Sequence, residues 1–475
     1  MKDTGENNLR IARRDWLKAT ALGGSAAVMT QAGCSRAARA PSPSKVRGVV
    51  FMVSDGMSPG VLTLAEAWSG LTRNHGTRWW RLINDPAATR GLMDTASANS
   101  MVTDSAAAAS AWGGGKRVNN GSINITPDGG ENTPVAAVLK KQSKARIGLV
   151  TTATVTHATP AGFAAVVSSR SDESTIAPQY LGRVDVILGG GSGFFDAKSR
   201  PDGRDLTGDF TKAGYNVARN RDQLLASRGE KLLGIFTRGY LPFSIDRDHN
   251  PKTAARVPTL AEMATAALSR FIGGDRPFLL QVEGARIDHA AHLNDIGALL
   301  GDQIAFDDAL AAVLAMTAGH GDILVVATSD HGNSNPGLSG IGSGYVDSTR
   351  SFRNITRAKA SHERIFAEWT ALADRNAGNL ATLVETHLGF RLGDDETAAL
   401  MAVLNQEDII EWNHQLEKPE GLLGQFAGNH TGIGWSGTTH TSDSTLVSAI
   451  GPQAERFSGI VRNSDVFAHL VDMLG

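Results

Sequence analysis

"VRGVVFMVSDG" (residues 46–56) is a near-continuous apolar run that ends on an acid and a glycine. A run this short, bounded by turn residues, reads as a strand buried on both faces. Four other stretches share the form: "ARIGLVTTATV" (145–155), "VDVILGGGSG" (184–193), "RPFLLQVEGA" (276–285) and "GDILVVATSDHG" (321–332). Each is followed by Gly, Ser, Thr or an acid, and helical patterns lie between them. Strands and helices alternating in this way give an α/β fold, with a mostly parallel central sheet and helices on both faces. Ligands of such sheets bind beyond the carboxyl ends of the strands. Asp55, His157, Thr159, Glu283, Asp330 and His331 all stand there. Four separate segments thus deliver carboxylates and imidazoles to one edge, which suggests a metal site.

The chain has 475 residues, a net charge of −2 and 41% hydrophobic residues, enough for a large core. Acidic and basic residues nearly balance at 48 and 46, and the body holds no concentrated Lys/Arg block. That speaks against a nucleic-acid partner. No apolar run reaches the roughly 18–20 residues that span a bilayer. Residues 45–475 read as the catalytic domain, with a helical insertion at about 336–425. Within it, "SHERIFAEWTALADRNAGNLATLVETHL" (361–388) and "DDETAALMAVLNQEDIIEWNHQL" (394–416) are amphipathic and helical. "GTTHTSDSTLVSAIGP" (437–452) returns to a final strand and "SDVFAHLVDML" (464–474) to a last helix.

Residues 1–40 read as an export signal. "ARRDWLKATALGGSAAVMTQAGCSRAARA" (12–40) places Arg13 and Arg14 before a weakly apolar, Gly/Ala-rich segment. This resembles a twin-arginine signal, which exports folded proteins to the periplasm or envelope. Cys34 is the only cysteine, so no intramolecular disulfide forms. Ala-Gly-Cys resembles a lipoprotein processing site, and a lipid anchor would follow from it. Gln31, however, stands where such sites usually carry an aliphatic residue. The alternative is cleavage after Ala40, with Pro41 following the cut.

"VTDSAAAASAW" (102–112) sets Asp104 and Ser105 before a run of alanines. Either residue caps a helix well, and Ala108 to Trp112 is good helix material. Ser105 would also sit where a helix N-terminus offers N–H groups to an anion. In "VEGARIDHAAH" (282–292), Asp288 and His292 are four apart and share a helix face. Carboxylate plus imidazole suits zinc, at about 2.0–2.2 Å. An all-oxygen set of Asp55, Thr159 and Glu283 would suit magnesium.

Six of these pieces stand in one order: "VSDGM" (53–57), "VTDSAAAASAW", "HATPAGFAAVVSSR" (157–170), "VEGARIDHAAH", "TSDHG" (328–332) and "HTSDSTLVSAIG" (440–451). The set resembles the alkaline phosphatases over nearly the whole chain after the linker. The resemblance implies hydrolysis of phosphate monoesters through a phosphoserine on Ser105, with two zinc ions and one magnesium ion. It implies Asp288, His292 and His440 around one zinc and Asp55, Asp330 and His331 around the other. It implies Asp55, Thr159 and Glu283 around magnesium, and Arg170 as the phosphate clamp. His157 and His289 fall where the family varies between histidine and other residues, and Asp104 shapes the first turn of the nucleophile's helix. Of two His-Thr pairs, His440 precedes an apolar strand, while His430 lies among glycines and reads as a solvent-facing loop histidine. A diesterase or sulfatase of the same superfamily is the nearest alternative; Arg170 favours monoesters, and no sulfatase modification motif is present. A non-catalytic, envelope-anchored metal or phosphate binder is the rival from another class. The insertion has two readings, a wall of the substrate cleft or the contact of a homodimer.

Overall fold

A computed structural model describes residues 45–341, 345–407 and 418–475. The export signal and part of the second inserted helical stretch lie outside the described residues. The chain runs β1 (Gly48–Val53), β2 (Thr89–Asp94), β3 (Arg146–Thr154), β4 (Val186–Gly190), β5 (Asn216–Ala218), β6 (Leu232–Ile235), β7 (Phe278–Glu283) and β8 (Ile323–Thr328). Two short strands follow, β9 (Gly332–Asn333) and β10 (Gly337–Leu338). Beyond the insertion come β11 (Ile433–Gly434), β12 (His440–Thr441), β13 (Thr445–Ile450) and β14 (Gly459–Arg462).

Ten strands form one sheet in the order β14-β2-β13-β8-β1-β7-β3-β4-β6-β5. All pair in parallel except β13, which runs antiparallel to both β8 and β2. The mostly parallel sheet read from the sequence is therefore present, with one reversed strand. Side chains alternate across it. Val50, Met52, Leu280, Val282 and Val325 enter one apolar layer, and Val49, Phe51, Leu279, Leu324 and Val326 enter the other. Both faces are covered by helices, so β1, β3, β7 and β8 are buried along their whole length. This is why they read as unbroken apolar runs.

The register sets the site. Val53 pairs with Glu283 on one side and Thr328 on the other, and Thr151 pairs with Glu283. The strand ends carrying Asp55, Glu283 and Asp330 are thereby aligned at one edge.

The helix Ser105–Gly114 begins with Asp104 as its N-cap and ends on Gly115 at φ 77°. It packs against the helix Ala158–Ala164. A Cβ at Gly113 would lie 2.2 Å from the Gly162 carbonyl oxygen, and one at Gly162 would lie 2.6 Å from Ala109. The two backbones touch there, so not even an alanine methyl fits at Gly113 or Gly162. Small residues after Ser105 let this helix lie close against its neighbour.

The insertion begins after β10 and ends at β11, and these two strands pair antiparallel in a small sheet of their own. It contains the helices His362–Ala371, Ala377–Leu388, Asp394–Leu404 and Pro419–Thr431. They share a small core of their own, including Ile365, Leu380, Leu400 and Leu423. The last helix runs to Thr431, later than the sequence boundary near 425. His430 is thus not in a solvent-facing loop. It sits in that helix's last turn, stacked on Phe390 with ring centroids 4.1 Å apart. Gly428 is helical there, and Gly432 only ends the helix, at φ 78°.

Candidate active site

Ser105, the first residue of its helix, is 1% exposed. Asp104 is extended and uses both carboxylate oxygens. Oδ1 accepts the Ala107 N–H at 2.9 Å, while Oδ2 accepts from Gly121 N–H at 2.8 Å and Arg170 Nη1 at 3.2 Å. One side chain therefore caps the helix, as expected, and also holds Arg170 beside it. Arg170 Nη2 lies 3.1 Å from His157 Nε2.

Two groups of residues of metal-ligating types lie near Ser105. In the first, Asp288, His292 and His440 converge. Asp288 and His292 share a face of the helix Arg286–His292, with His292 Nε2 3.3 Å from Asp288 Oδ2. His440 comes from β12, where it pairs with Asn333 of β9. Asn333 in turn donates to Asp288 Oδ1 at 2.7 Å. In the second group, Asp55, Asp330 and His331 are all enclosed. His331 Nε2 lies 3.2 Å from Asp330 Oδ2, 3.6 Å from Asp55 Oδ1 and 3.1 Å from Ser105 Oγ. The His331 and His440 rings stack at 3.7 Å and join the two groups. A third set brings Asp55, Glu283 and His157 within 4.8 Å of one another. Thr159 is enclosed in the first turn of its helix beside Glu283. His430 belongs to none of these sets. Every residue expected at the site is at this edge.

Gly56, next to Asp55, adopts φ 66°, and a Cβ there would lie 2.4 Å from Asp288 Oδ1. The absent side chain makes room for the Asp288 carboxylate.

The histidine tautomers follow from their partners. His292 Nδ1 faces the Thr438 carbonyl at 2.7 Å, and His440 Nδ1 faces the Thr103 carbonyl at 2.8 Å. A carbonyl only accepts, so each Nδ1 carries the proton. The two Nε2 atoms then face each other, 3.0 Å apart, beside Asp288. Fixing a ligand histidine by a backbone carbonyl is usual in metal centres. Sequence reading missed Thr103 and Thr438, since backbone carbonyls have no side-chain signature, and Asn333, whose side chain meets Asp288 only in the fold.

Electrostatics agree. Burial, then Asp330, Asp288 and Glu283 nearby, raises Asp55 well above the ordinary carboxylate range. Burial pushes Glu283 up to about 7, against the pull of the Thr151 and Thr159 hydroxyls. Asp288 is the exception: burial would raise it, but His292 and His440 hold it well below its ordinary value. Burial, then His331, lowers His440 to about 4. Neither oxygen of Asp55 or Glu283 has a hydrogen-bond partner of good geometry, nor does Asp330 Oδ2. Enclosed carboxylates without donors are costly unless cations neutralise them. The donor sets fit divalent cations: one set carries two imidazoles, one carries a single imidazole, and the third is rich in oxygen.

A family model described as alkaline phosphatase matches residues 46–475. The chain belongs to the alkaline phosphatase family. It is 28% identical over 436 residues to "Alkaline phosphatase 3" of Bacillus subtilis strain 168, covering 89% of this chain and 87% of the relative. It is 33% identical over 372 residues to the streptomycin-6-phosphate phosphatase of Streptomyces griseus, covering 68% and 81%. The solved alkaline phosphatase of Thermus thermophilus superposes with a TM-score of 0.84 at 33% identity, covering 94% of this chain and 95% of that one. This alkaline phosphatase is therefore a metal-binding hydrolase of phosphate monoesters. Among the described residues, no helix is long and apolar enough to cross a membrane.

In the cation-free chain a carboxyl shifted up destabilises the fold as pH rises from its ordinary value near 4.5 to about 7 for Glu283. Over the same range a cation must displace that proton to bind. The rise in melting temperature when zinc and magnesium are added to chelated protein should grow from about pH 5.5 to about pH 8. An equal rise at both would place the stabilising cation away from these carboxylates.

Proposed function

We propose that this alkaline phosphatase hydrolyses phosphate monoesters through a phosphoserine on Ser105, with two zinc ions and one magnesium ion. Asp288, His292 and His440 would hold one zinc, and Asp55, Asp330 and His331 the second. Asp55, Thr159 and Glu283 would hold magnesium, with His157 beside them. The observation that carries this reading is the enclosed Ser105 Oγ, 3.1 Å from His331 Nε2, whose ring stacks on His440 of the other histidine-bearing set. When bound, these cations lower the pKa of hydroxyl groups and neutralise charge on the entering and leaving oxygens.

The chain's own residues supply the rest. A phosphate monoester carries two negative charges and reacts through a loose transition state, so positioning and neutralisation dominate. Arg170 offers a planar fork to two non-bridging oxygens, which lysine cannot match. Asp104 aims that fork and keeps it beside Ser105. The Ser105 oxygen forms a bond to phosphorus as the ester P–O bond breaks, and the leaving alkoxide takes up a proton. Water then attacks the phosphoserine, and Ser105 leaves with its oxygen. Burial, then Arg170 and His289, holds His157 well below its ordinary pKa, and burial, then Arg286, lowers His289 to about 3. Both rings are neutral at working pH and add no cation to compete with the metals.

Acid quenching after mixing with radiolabelled inorganic phosphate should trap label on Ser105, found by peptide mapping. Ser105→Ala should carry none and lose nearly all turnover. Label on another residue would overturn the nucleophile assignment.

The two histidines of the His-Thr pairs separate cleanly. His440→Ala should lose one tightly bound zinc per chain by mass spectrometry, with nearly all activity. His430→Ala should keep both zincs and most of its turnover, since its ring packs on Phe390. The reverse pattern would mean that His430 is the ligand.

For location, we propose export through the twin-arginine route, with the protein periplasmic or envelope-anchored through Cys34. Replacing Arg13 and Arg14 by lysine should keep the protein in the cytoplasm, read by fractionation. Unchanged export would refute the route, and fatty-acid labelling of Cys34→Ala against the parent decides the lipid anchor. A homodimer is also proposed for the assembled enzyme.

A further inference from the structure

Arg286 opens the helix that carries Asp288, His289 and His292, yet no step above uses it. Its side chain is only 3% exposed. The guanidinium lies over the Phe243 ring at 3.6 Å and beside Tyr240 at 5.5 Å. Its two terminal nitrogens serve different partners. Nη1 lies 2.9 Å from His289 Nδ1, and Nη2 donates to Glu363 Oε2 at 2.8 Å. Glu363 stands in the first turn of the inserted helix His362–Ala371. The contact thus links the insertion to a residue beside the ligand Asp288.

A guanidinium donates and never accepts. His289 Nδ1 must therefore accept, and a ring that accepts at Nδ1 is neutral with its proton on Nε2. That ring is half-buried, packed on Tyr240 at 4.5 Å and against His157 at 5.6 Å. Its Nε2–H has no hydrogen-bond partner among the described residues. Across the same cluster, His157 meets Arg170, the residue assigned to the phosphate. A lysine at 286 could not lie flat on Phe243 while holding two partners with a rigid planar fork.

We propose that Arg286 is a positioning residue: it fixes His289 as the Nε2–H tautomer, so that the imidazole offers that N–H to a substrate phosphate oxygen, and Glu363 of the insertion holds Arg286 in place. The part concerning substrate rests on the reaction proposed above; the tautomer does not.

The test uses the full, metal-loaded chain with ring-15N histidine. Long-range 1H–15N spectra tell which ring nitrogen carries the proton, and His289→Gln assigns the signal. The parent should show His289 protonated at Nε2. Arg286→Met should shift it to a mixture of tautomers and raise KM for an aryl phosphate about 10-fold, the size expected for one hydrogen bond to a charged acceptor. Glu363→Gln alters an exposed side chain and spares the fold. It should raise KM a few-fold with zinc content unchanged. In the His289→Gln background, Glu363→Gln should have no further effect, because Arg286 acts through that ring. Two results would overturn the proposal: Nε2–H retained in Arg286→Met, or an equal loss from Glu363→Gln in both backgrounds. Failure of the phosphoserine mechanism alone would leave the parent spectrum unchanged, so the two ideas fail separately.

Discussion

Asp55, Glu283, Asp288 and Asp330 are enclosed together at one edge of the sheet, and among the described residues no lysine or arginine pairs with any of them. Taking a charge out of water costs several kcal/mol per ion even after relaxation. Such an edge persists only if protons or cations neutralise it. The parallel register leaves little freedom, because the ends of β1, β7 and β8 are aligned by their own hydrogen bonds. Moving one carboxylate away would mean slipping a strand that is buried on both faces. The sheet creates the crowding, and cations relieve it. Folding and cation binding are linked for that reason.

The remaining machinery sits around this edge with little slack. His440 is fixed by strand pairing and by the carbonyl of Thr103, two residues before Ser105. His331 and His440 stack, so neither ring turns alone. Asp104 joins the helix start, the Gly121 backbone and Arg170 through two oxygens. Ser105, Arg170 and the two histidine-bearing sets thus share supports, and preorganisation of this kind lowers the reorganisation left for a reaction.

Much of this was legible in the sequence where side chains carry the signal. β1, β3, β7 and β8 stood out because burial on both faces demands continuous apolar residues. The acids at the ends of β1, β7 and β8 stood out because nothing in a core explains them. β2, in "TRGLMD", and β14, in "GIVR", did not, since each exposes residues such as Leu92 and Ile460 and lies toward one end of the sheet. The reversal of β13 was invisible, because an apolar run has no direction. His430 was misread through its glycines. Gly428 lies inside a helix, and the ring that covers His430 comes from Phe390, distant in sequence. Arg286 also escaped notice, since an arginine beside an acid on a helix ordinarily faces water.

The insertion shows how this edge carries an addition without losing its ligands. It divides Asp330 and His331 from His440, yet β9 and β12 still pair across it. The entropy of closing a loop grows only with the logarithm of its length, so the step from a short loop to roughly a hundred residues costs about as much as a few doublings, each near 0.6 kcal/mol. The inserted helices offset that cost with a core of their own. They also dock through one helix N-terminus: Asp246 accepts the Ser361 N–H at 2.9 Å, and Asp295 accepts the His362 N–H at 2.6 Å. Acids at a helix N-terminus are favourable, and Asp295 lies just beyond the helix that ends with His292. The attachment point is thus next to the ligand helix rather than on the ligands. The placing of Asp288, His331 and His440 follows from the sheet and the β9–β12 pair, while the insertion meets the site through Glu363 and Arg286.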